Sequence, residues 1–258
     1  VVIAAGVESM SRVPMGLPIM LPMKNGFGIY KSPGLEKRYP GIMFSQFDGA
    51  EMIAKKYDLS KETLDTFGYH SHRKGKEATE AGAFDGEIVP LEIVDAEGNA
   101  ALHTVDEGIR FNASLEAMQA VKLIKEDGRL TAATSSQITD GASGVMVVNE
   151  RGLKALGVAP LARVHHMTVV GADPVIMLEA PIPATERALK RAGMKIADID
   201  LYEVNEAFAS VPLAWLKAIG ADPEKLNVNG GAIALGHPLG GSGTKLMSTL
   251  VNALHKRG

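Results

Sequence analysis

Two polar clusters inside otherwise apolar sequence hold the residue types that do chemistry. Asn205-Glu206-Ala207-Phe208-Ala209 follows a predicted strand, Ile199 to Val204, and Gly236-His237-Pro238 lies in a run dense with glycine from Gly230 to Gly243. An imidazole can move a proton or donate a hydrogen bond near neutral pH. A His and an Asn at strand ends, among small residues, suit a site where backbone approaches a ligand closely. On pattern alone, a catalytic His237 and a core His satisfied by backbone are both open.

Other chemistries fail on spacing. The glycine run is no phosphate loop, because the order Gly243-Thr244-Lys245 displaces the lysine, and Gly241-Ser242-Gly243 is not followed by the third glycine of a dinucleotide fingerprint. Gly240-Gly241-Ser242-Gly243 brings the last glycine one residue too soon for a hydrolase elbow. His70 and His72, two apart on a predicted helix, point to different faces and read as surface residues; His165 and His166, adjacent in a predicted strand, face opposite sides. No metal site is expected. There is no cysteine, which removes disulfides, thiolate ligands and a thiol nucleophile from this chain.

These clusters need elements to position them. Strands are predicted at Val1–Ala5, Glu87–Val94, Gly144–Val148, Leu161–Val170, Ile199–Val204 and Leu226–Val228. Helices are predicted at Ser45–Tyr57, Lys61–Ala81 behind a Ser60 cap, Ser114–Lys125, Ala184–Ala192, Glu206–Ala218 and from the glycine run to His255. Prolines 14, 18, 22 and 33 argue against an ordinary helix between Met10 and Leu35, a stretch too apolar for a solvated linker. It reads either as a loop packed on its own domain or as a subunit contact, for which its methionines supply an adaptable surface. Small and hydroxylated residues from Thr131 to Ser143 admit close backbone approach; Ser136 reads as a ligand donor or as part of a tight buried turn. Strands and helices alternate through the C-terminal half, which argues an α/β layered fold, with a helical, loop-rich insertion over about 9–137.

At 258 residues, 46% hydrophobic and 22% charged, the chain can bury a core as one large domain or two. A net charge of −3 points to no nucleic-acid or anionic-membrane partner. No apolar run approaches the roughly 18 residues of a membrane span. Val1 begins in mid-strand without an initiator methionine, so the sequence reads as a piece of a longer protein.

VVIAAGVESMS, TDGAS, NEAFA and NVNGGAIALGHPLGGSG, in this order and spacing, resemble the thiolases, the acetyl-CoA acetyltransferases and 3-ketoacyl-CoA thiolases. The resemblance covers essentially the whole chain. It implies the thiolase-like αβαβα layered fold with an inserted loop domain, incomplete at both ends. Residues 1–8 and 138–158 would belong to the first half, 9–137 would be the loop domain, and 159–258 most of the second half. The Met/Pro-rich stretch matches a tetramer-contact region, so a homodimer or homotetramer is implied.

The implied activity is Claisen condensation of acyl-CoA or thiolytic cleavage of a 3-ketoacyl-CoA. Coenzyme A is a substrate, and no prosthetic group is expected. His237 would hold the enolate oxygen and Asn205 a water that donates the second hydrogen bond. Ser136, Met177, Phe208, Gly240 and Gly241 would line the thioester and pantetheine side; Met177 matches an acyl-pocket position, and the glycines would admit the thioester by lacking side chains. Glu206 would cap a helix and orient the site. The family's two cysteines fall outside this sequence. The competing class is a non-catalytic acyl-CoA or lipid-binding protein on the same scaffold. Leu178-Glu179-Ala180-Pro181 departs from the Thr-Gly-Pro of many thiolases, which leaves chain length open. The compartment is taken as cytoplasmic, an organellar one staying open.

Overall fold

The computed structural model describes residues 1–95 and 97–257; Gly258, the last residue of the expected second half, lies outside them. The first strand, β1 (Val2–Ser9), runs longer than the sequence predicts. Two short helices follow, α1 (Leu17–Lys24) and α2 (Pro33–Arg38), where prolines argue against helix. Pro18 and Pro33 sit in the first turns, where an N–H has no intrahelical acceptor to lose, so the rings are tolerated.

Helices α3 (Gln46–Lys56) and α4 (Lys61–Glu80) match expectation within a residue or two. Ser45 and Ser60 cap them by accepting from Asp48 N–H and Thr63 N–H. His72 corrects the surface reading. It is 2% exposed, its Nδ1 accepts from Arg110 N–H at 3.2 Å, and burial pushes its pKa down to about 4.

Strands β2 (Leu91–Val94) and β3 (Ala100–His103) form a small antiparallel hairpin. Helix α5 (Leu115–Gln119) is far shorter than the predicted Ser114–Lys125. Lys61 Nζ donates to Gln119 O at 2.9 Å, and Ile124 N–H reaches Leu130 O at 2.9 Å, so the chain leaves the helix and doubles back. Strand β4 (Asp140–Val147) pairs antiparallel with β1, from Val2 opposite Val147 to Ser9 opposite Asp140. Helix α6 (Glu150–Leu156) follows.

The predicted strand at 161–170 makes no ladder among the described residues; Met167 and Val169 are exposed. Helices α7 (Pro181–Ala192), α8 (Ser210–Ile219), α9 (Ala232–Leu235) and α10 (Ser242–Arg257) complete the chain. Ile199–Val204 and Leu226–Val228 do not become full strands: one parallel bridge joins Tyr202 to Leu226. Helix α8 starts later than Glu206 because Ala207 O accepts from Ser136 N–H (3.0 Å) and Ala209 N–H donates to Thr134 O (2.8 Å). Those bonds tie 207–209 to the 134–136 segment before the helix begins.

The main core joins α3, α4 and α8 through Ala50, Ile53, Leu64, Phe208, Ala214 and Ile233. A second cluster packs α7 against α8 through Ile182, Tyr202 and Trp215, with Trp215 Nε1 donating to Thr185 Oγ1 at 2.8 Å. Together they form the floor under Asn205 and the α9–α10 loop.

Candidate active site

Asn205 stands between two fastened residues. Before it, Val204 N–H donates to Asn227 Oδ1 and Val204 O accepts from Asn227 Nδ2, both at 2.9 Å. After it, the fully buried Glu206 carboxylate accepts from Ser71 Oγ (2.6 Å), Asn227 Nδ2 (2.9 Å) and Ile233 N–H (3.2 Å). Burial pushes the Glu206 pKa up, and these donors oppose that push. Glu206 therefore caps the start of α9, not the helix that follows it in sequence as expected. The bond matters for placement, because α9 leads directly into His237.

His237 follows Gly236, whose φ of +87° lies in the region that favours glycine and where a side chain would overlap Thr139. The loop after it is gripped by the β1–β4 ribbon. Gly240 N–H donates to Glu8 Oε2 at 3.1 Å, Ser143 Oγ donates to Gly241 O at 2.5 Å, and the Pro238 ring lies against Gly141. A Cβ on Gly240 would come within 2.5 Å of Val7 O, and one on Gly6 would overlap Gly240 O. The space beside Gly240 and Gly241 is thus filled by protein backbone. This corrects the expected reason for those glycines: they admit β1, and the chain packs there tightly.

The two chemical residues meet. Asn205 Nδ2 lies 3.2 Å from His237 Nε2, although 32 positions separate them in sequence. His237 Nδ1 lies 2.6 Å from Ser242 Oγ, at the first residue of α10, and Ser242 Oγ donates to Pro238 O at 3.0 Å. Burial holds the imidazole below the ordinary His range, with the Glu8 charge acting the other way. The ring is half-buried, and this shift favours its uncharged form. A neutral imidazole beside an amide can accept a proton at Nε2 and then donate toward a developing oxyanion.

The family models decide the kinship. One described as the thiolase N-terminal domain matches residues 1–151, and one described as the thiolase C-terminal domain matches residues 158–258. This chain belongs to the thiolase family. Among thiolase relatives, the steroid 3-ketoacyl-CoA thiolase FadA6 of Mycobacterium tuberculosis is 46% identical over 100% of this chain and 62% of its own length. The 3-ketoacyl-CoA thiolase of Marinobacter nauticus is 43% identical over 100% of this chain and 65% of its own. Human mitochondrial 3-ketoacyl-CoA thiolase superposes with a TM-score of 0.84 at 38% identity, covering 99% of this chain and 66% of that one. Its complex with CoA gives 0.81 at 37% identity, covering 99% and 65%. The chain has the thiolase fold and spans about two thirds of the length of the thiolases it matches.

The remaining expected thiolase site residues are placed apart from the pair. Phe208 is 3% exposed and packs edge-on against Phe47 at 5.3 Å between ring centroids, a core position. Ser136 contributes its backbone N–H to Ala207 O; its hydroxyl makes no hydrogen bond to Asn205 or His237 among the described residues. Met177 adopts a left-handed backbone, φ +38°, on a turn seated against Gly49 of α3. Glu179, the departure from the thiolase pattern, accepts from Lys56 Nζ (2.6 Å) and Tyr57 Oη (2.5 Å) at the end of α3. A shallow cavity of about 320 Å³ bounded by Asp48, Glu51, Lys125 and Gly128 shares no residue with the Asn205–His237 pair.

Sequence reasoning missed Ser242, Glu8, Asn227 and Ser71. Ser242 and Glu8 lie inside the GHPLGGSG and VESMS stretches, so position in a motif was the available signal. Asn227 opens the NVNGGAIALGHPLGGSG stretch and has the same signal; Ser71 carries none, since its partner Glu206 lies far away in sequence.

Proposed function

We propose that this protein is a thiolase-type acyltransferase acting on coenzyme A thioesters. The observation that carries the reading is the Asn205–His237 contact at 3.2 Å, in a chain whose relatives are named 3-ketoacyl-CoA thiolases at 42–46% identity. In the cleavage direction a thiolate adds to C3 of a 3-ketoacyl-CoA and the C2–C3 bond breaks. Its electron pair becomes the enolate of acetyl-CoA, which takes a proton at C2. The thiol of coenzyme A then receives the acyl group from the enzyme. His237, once protonated at Nε2, would donate to the enolate oxygen, and the Asn205 amide would hold a water that supplies the second donor. One such donor is worth about 3–4 kcal/mol in the transition state. The reading requires thiols that this chain, which holds no cysteine, does not itself supply.

The same reading takes coenzyme A as substrate and keeps Ser136 and Met177 on its binding side. It keeps the division into 1–8 with 138–158, 9–137 and 159–258, and a cytoplasmic homodimer or homotetramer. Exposed Met15, Met20, Met23 and Phe27, in and on either side of α1, support the subunit contact.

The test is thiolysis by the full-length protein of a 3-ketoacyl-CoA series with coenzyme A. His237→Ala and Asn205→Ala should each lower turnover by about a hundredfold to a thousandfold with unchanged circular dichroism. Wild-type turnover in either variant removes that residue from the mechanism. Tight acyl-CoA binding with no acyl-enzyme detectable by mass would favour the binding-protein reading.

A further inference from the structure

Ser242 belongs to the site yet has no part in the chemistry described above. Its hydroxyl carries a single proton and lies near two acceptors, Pro238 O at 3.0 Å and His237 Nδ1 at 2.6 Å. Pro238 O already accepts from Gly241 N–H at 2.8 Å and Ser242 N–H at 2.9 Å. On the other side of the ring, the Asn205 amide nitrogen faces Nε2 at 3.2 Å.

These contacts form a chain that can be filled in one way. An amide nitrogen has no lone pair to accept with, so Asn205 Nδ2 donates and Nε2 accepts. A neutral imidazole with a free Nε2 carries its proton on Nδ1. That proton goes to Ser242 Oγ, whose own proton then goes to Pro238 O. The reverse filling, with Ser242 donating to Nδ1, puts a proton on Nε2 against a donor and leaves the 3.0 Å contact to Pro238 without one.

We infer that Ser242 is a positioning residue: its hydroxyl accepts the Nδ1–H of resting His237 and fixes the ring, while the unprotonated Nε2 rests on the Asn205 amide. The inference deepens the thiolase reading and rests on it for the catalytic consequence, though not for the tautomer. A thiol that loses its proton to Nε2, displacing the Asn205 N–H, leaves an imidazolium whose Nδ1–H is already seated on Ser242. The new Nε2–H is then the donor that the enolate oxygen needs. One ring nitrogen serves as base and later as donor, without the ring turning.

Position supports the assignment. Ser242 is 7% exposed and opens α10, so its hydroxyl is fixed by the helix and by the Pro238 turn. The charged group acting on His237 is Glu8 of β1, which is tied to Gly240 N–H and leaves Nδ1 to Ser242.

The experiment is nitrogen NMR on full-length protein labelled with 15N-histidine at neutral pH, with the His237 signals assigned by their loss in His237→Asn. Wild type should show a protonated Nδ1 and a bare Nε2. Ser242→Ala should leave Nε2 unprotonated on Asn205, move the Nδ1–H signal toward that of an unbonded imidazole, and lower kcat about a hundredfold while KM stays within about twofold. A resting Nε2–H in wild type overturns the inference. So does a Ser242→Ala variant whose Nδ1–H signal matches wild type, or one whose signal moves with full kcat. The expected signals in a protein inert toward every 3-ketoacyl-CoA would support the Ser242 assignment and overturn the thiolase reading.

Discussion

The side-chain amide of Asn227 pairs with the backbone of Val204 as a neighbouring strand would, accepting from its N–H and donating to its O at 2.9 Å each. Asn227 is 2% exposed and adopts φ +44°, a conformation that Asn tolerates better than most residues. It replaces a ladder on the last residue before Asn205. The same Nδ2 reaches Glu206 Oε1, so one side chain fastens both neighbours of Asn205.

Asn227→Ala should therefore cost stability and activity together. It strips partners from Val204 N–H and from a buried carboxylate, a loss of about 2–4 kcal/mol. Urea denaturation of the full-length protein should show a lower midpoint, and kcat should fall with Asn205 itself intact. Asn227→Asp, which places a second carboxylate against Glu206, should be worse. A midpoint equal to wild type in Asn227→Ala would show that the clamp does not set the site.

The sequence makes the catalytic pair visible and hides its supports. Asn205 and His237 stand out because polar residues in an apolar, glycine-dense stretch are unusual. Ser45 and Ser60 announce α3 and α4, because a cap is a local event read over three residues. The strand at 199–204 misleads because its apolar pattern is real while backbone pairing is confined to Tyr202 and a side chain takes over at Val204. Helix α5 is cut short by a lysine 58 residues earlier, which no local window contains. His72 is polar by type and buried by packing on both sides of α4. Gly240 and Gly241 are recognisable as necessary, but only the fold reveals that β1 is what they make room for.

That close packing predicts a steric effect far from the chemistry. Gly6 lies in β1, and a side chain there would overlap Gly240 O in the loop that carries His237. Gly6→Ala should push this loop off the ribbon and loosen the Glu8 and Ser143 contacts. Turnover should fall at least about tenfold, since a displacement near 1 Å at a reacting group is enough for larger losses. Gly243→Ala is the control: a Cβ there meets nothing within 4 Å, and the residue is in the first turn of α10. It should retain activity and melt no lower than wild type. Equal turnover in the two variants would remove β1 from the positioning of His237.

Glu203, two residues before Asn205, gives the site's surroundings a pH dependence. Part of the residue reaches the surface, but Oε2 is sealed from solvent without a hydrogen-bond partner among the described residues, and that atom decides the energetics. Burial raises its pKa from the ordinary 4.5 to about 8; Lys245 opposes the shift, Glu206 and Glu87 add to it, and Lys74 again opposes it. A carboxyl whose folded pKa exceeds its unfolded value binds its proton more tightly when folded. Its contribution is then fully present below 4.5 and is lost as pH rises through about 8. Glu203→Gln keeps the neutral shape at every pH. It should leave the melting temperature near wild type at pH 4.5 and raise stability by about 2 kcal/mol above pH 8, judged from the size of the shift discounted for partial exposure. Calorimetry of both proteins across that range reads the difference directly. Parallel curves for wild type and variant would mean that Glu203 ionises in the folded protein as it does in the unfolded chain.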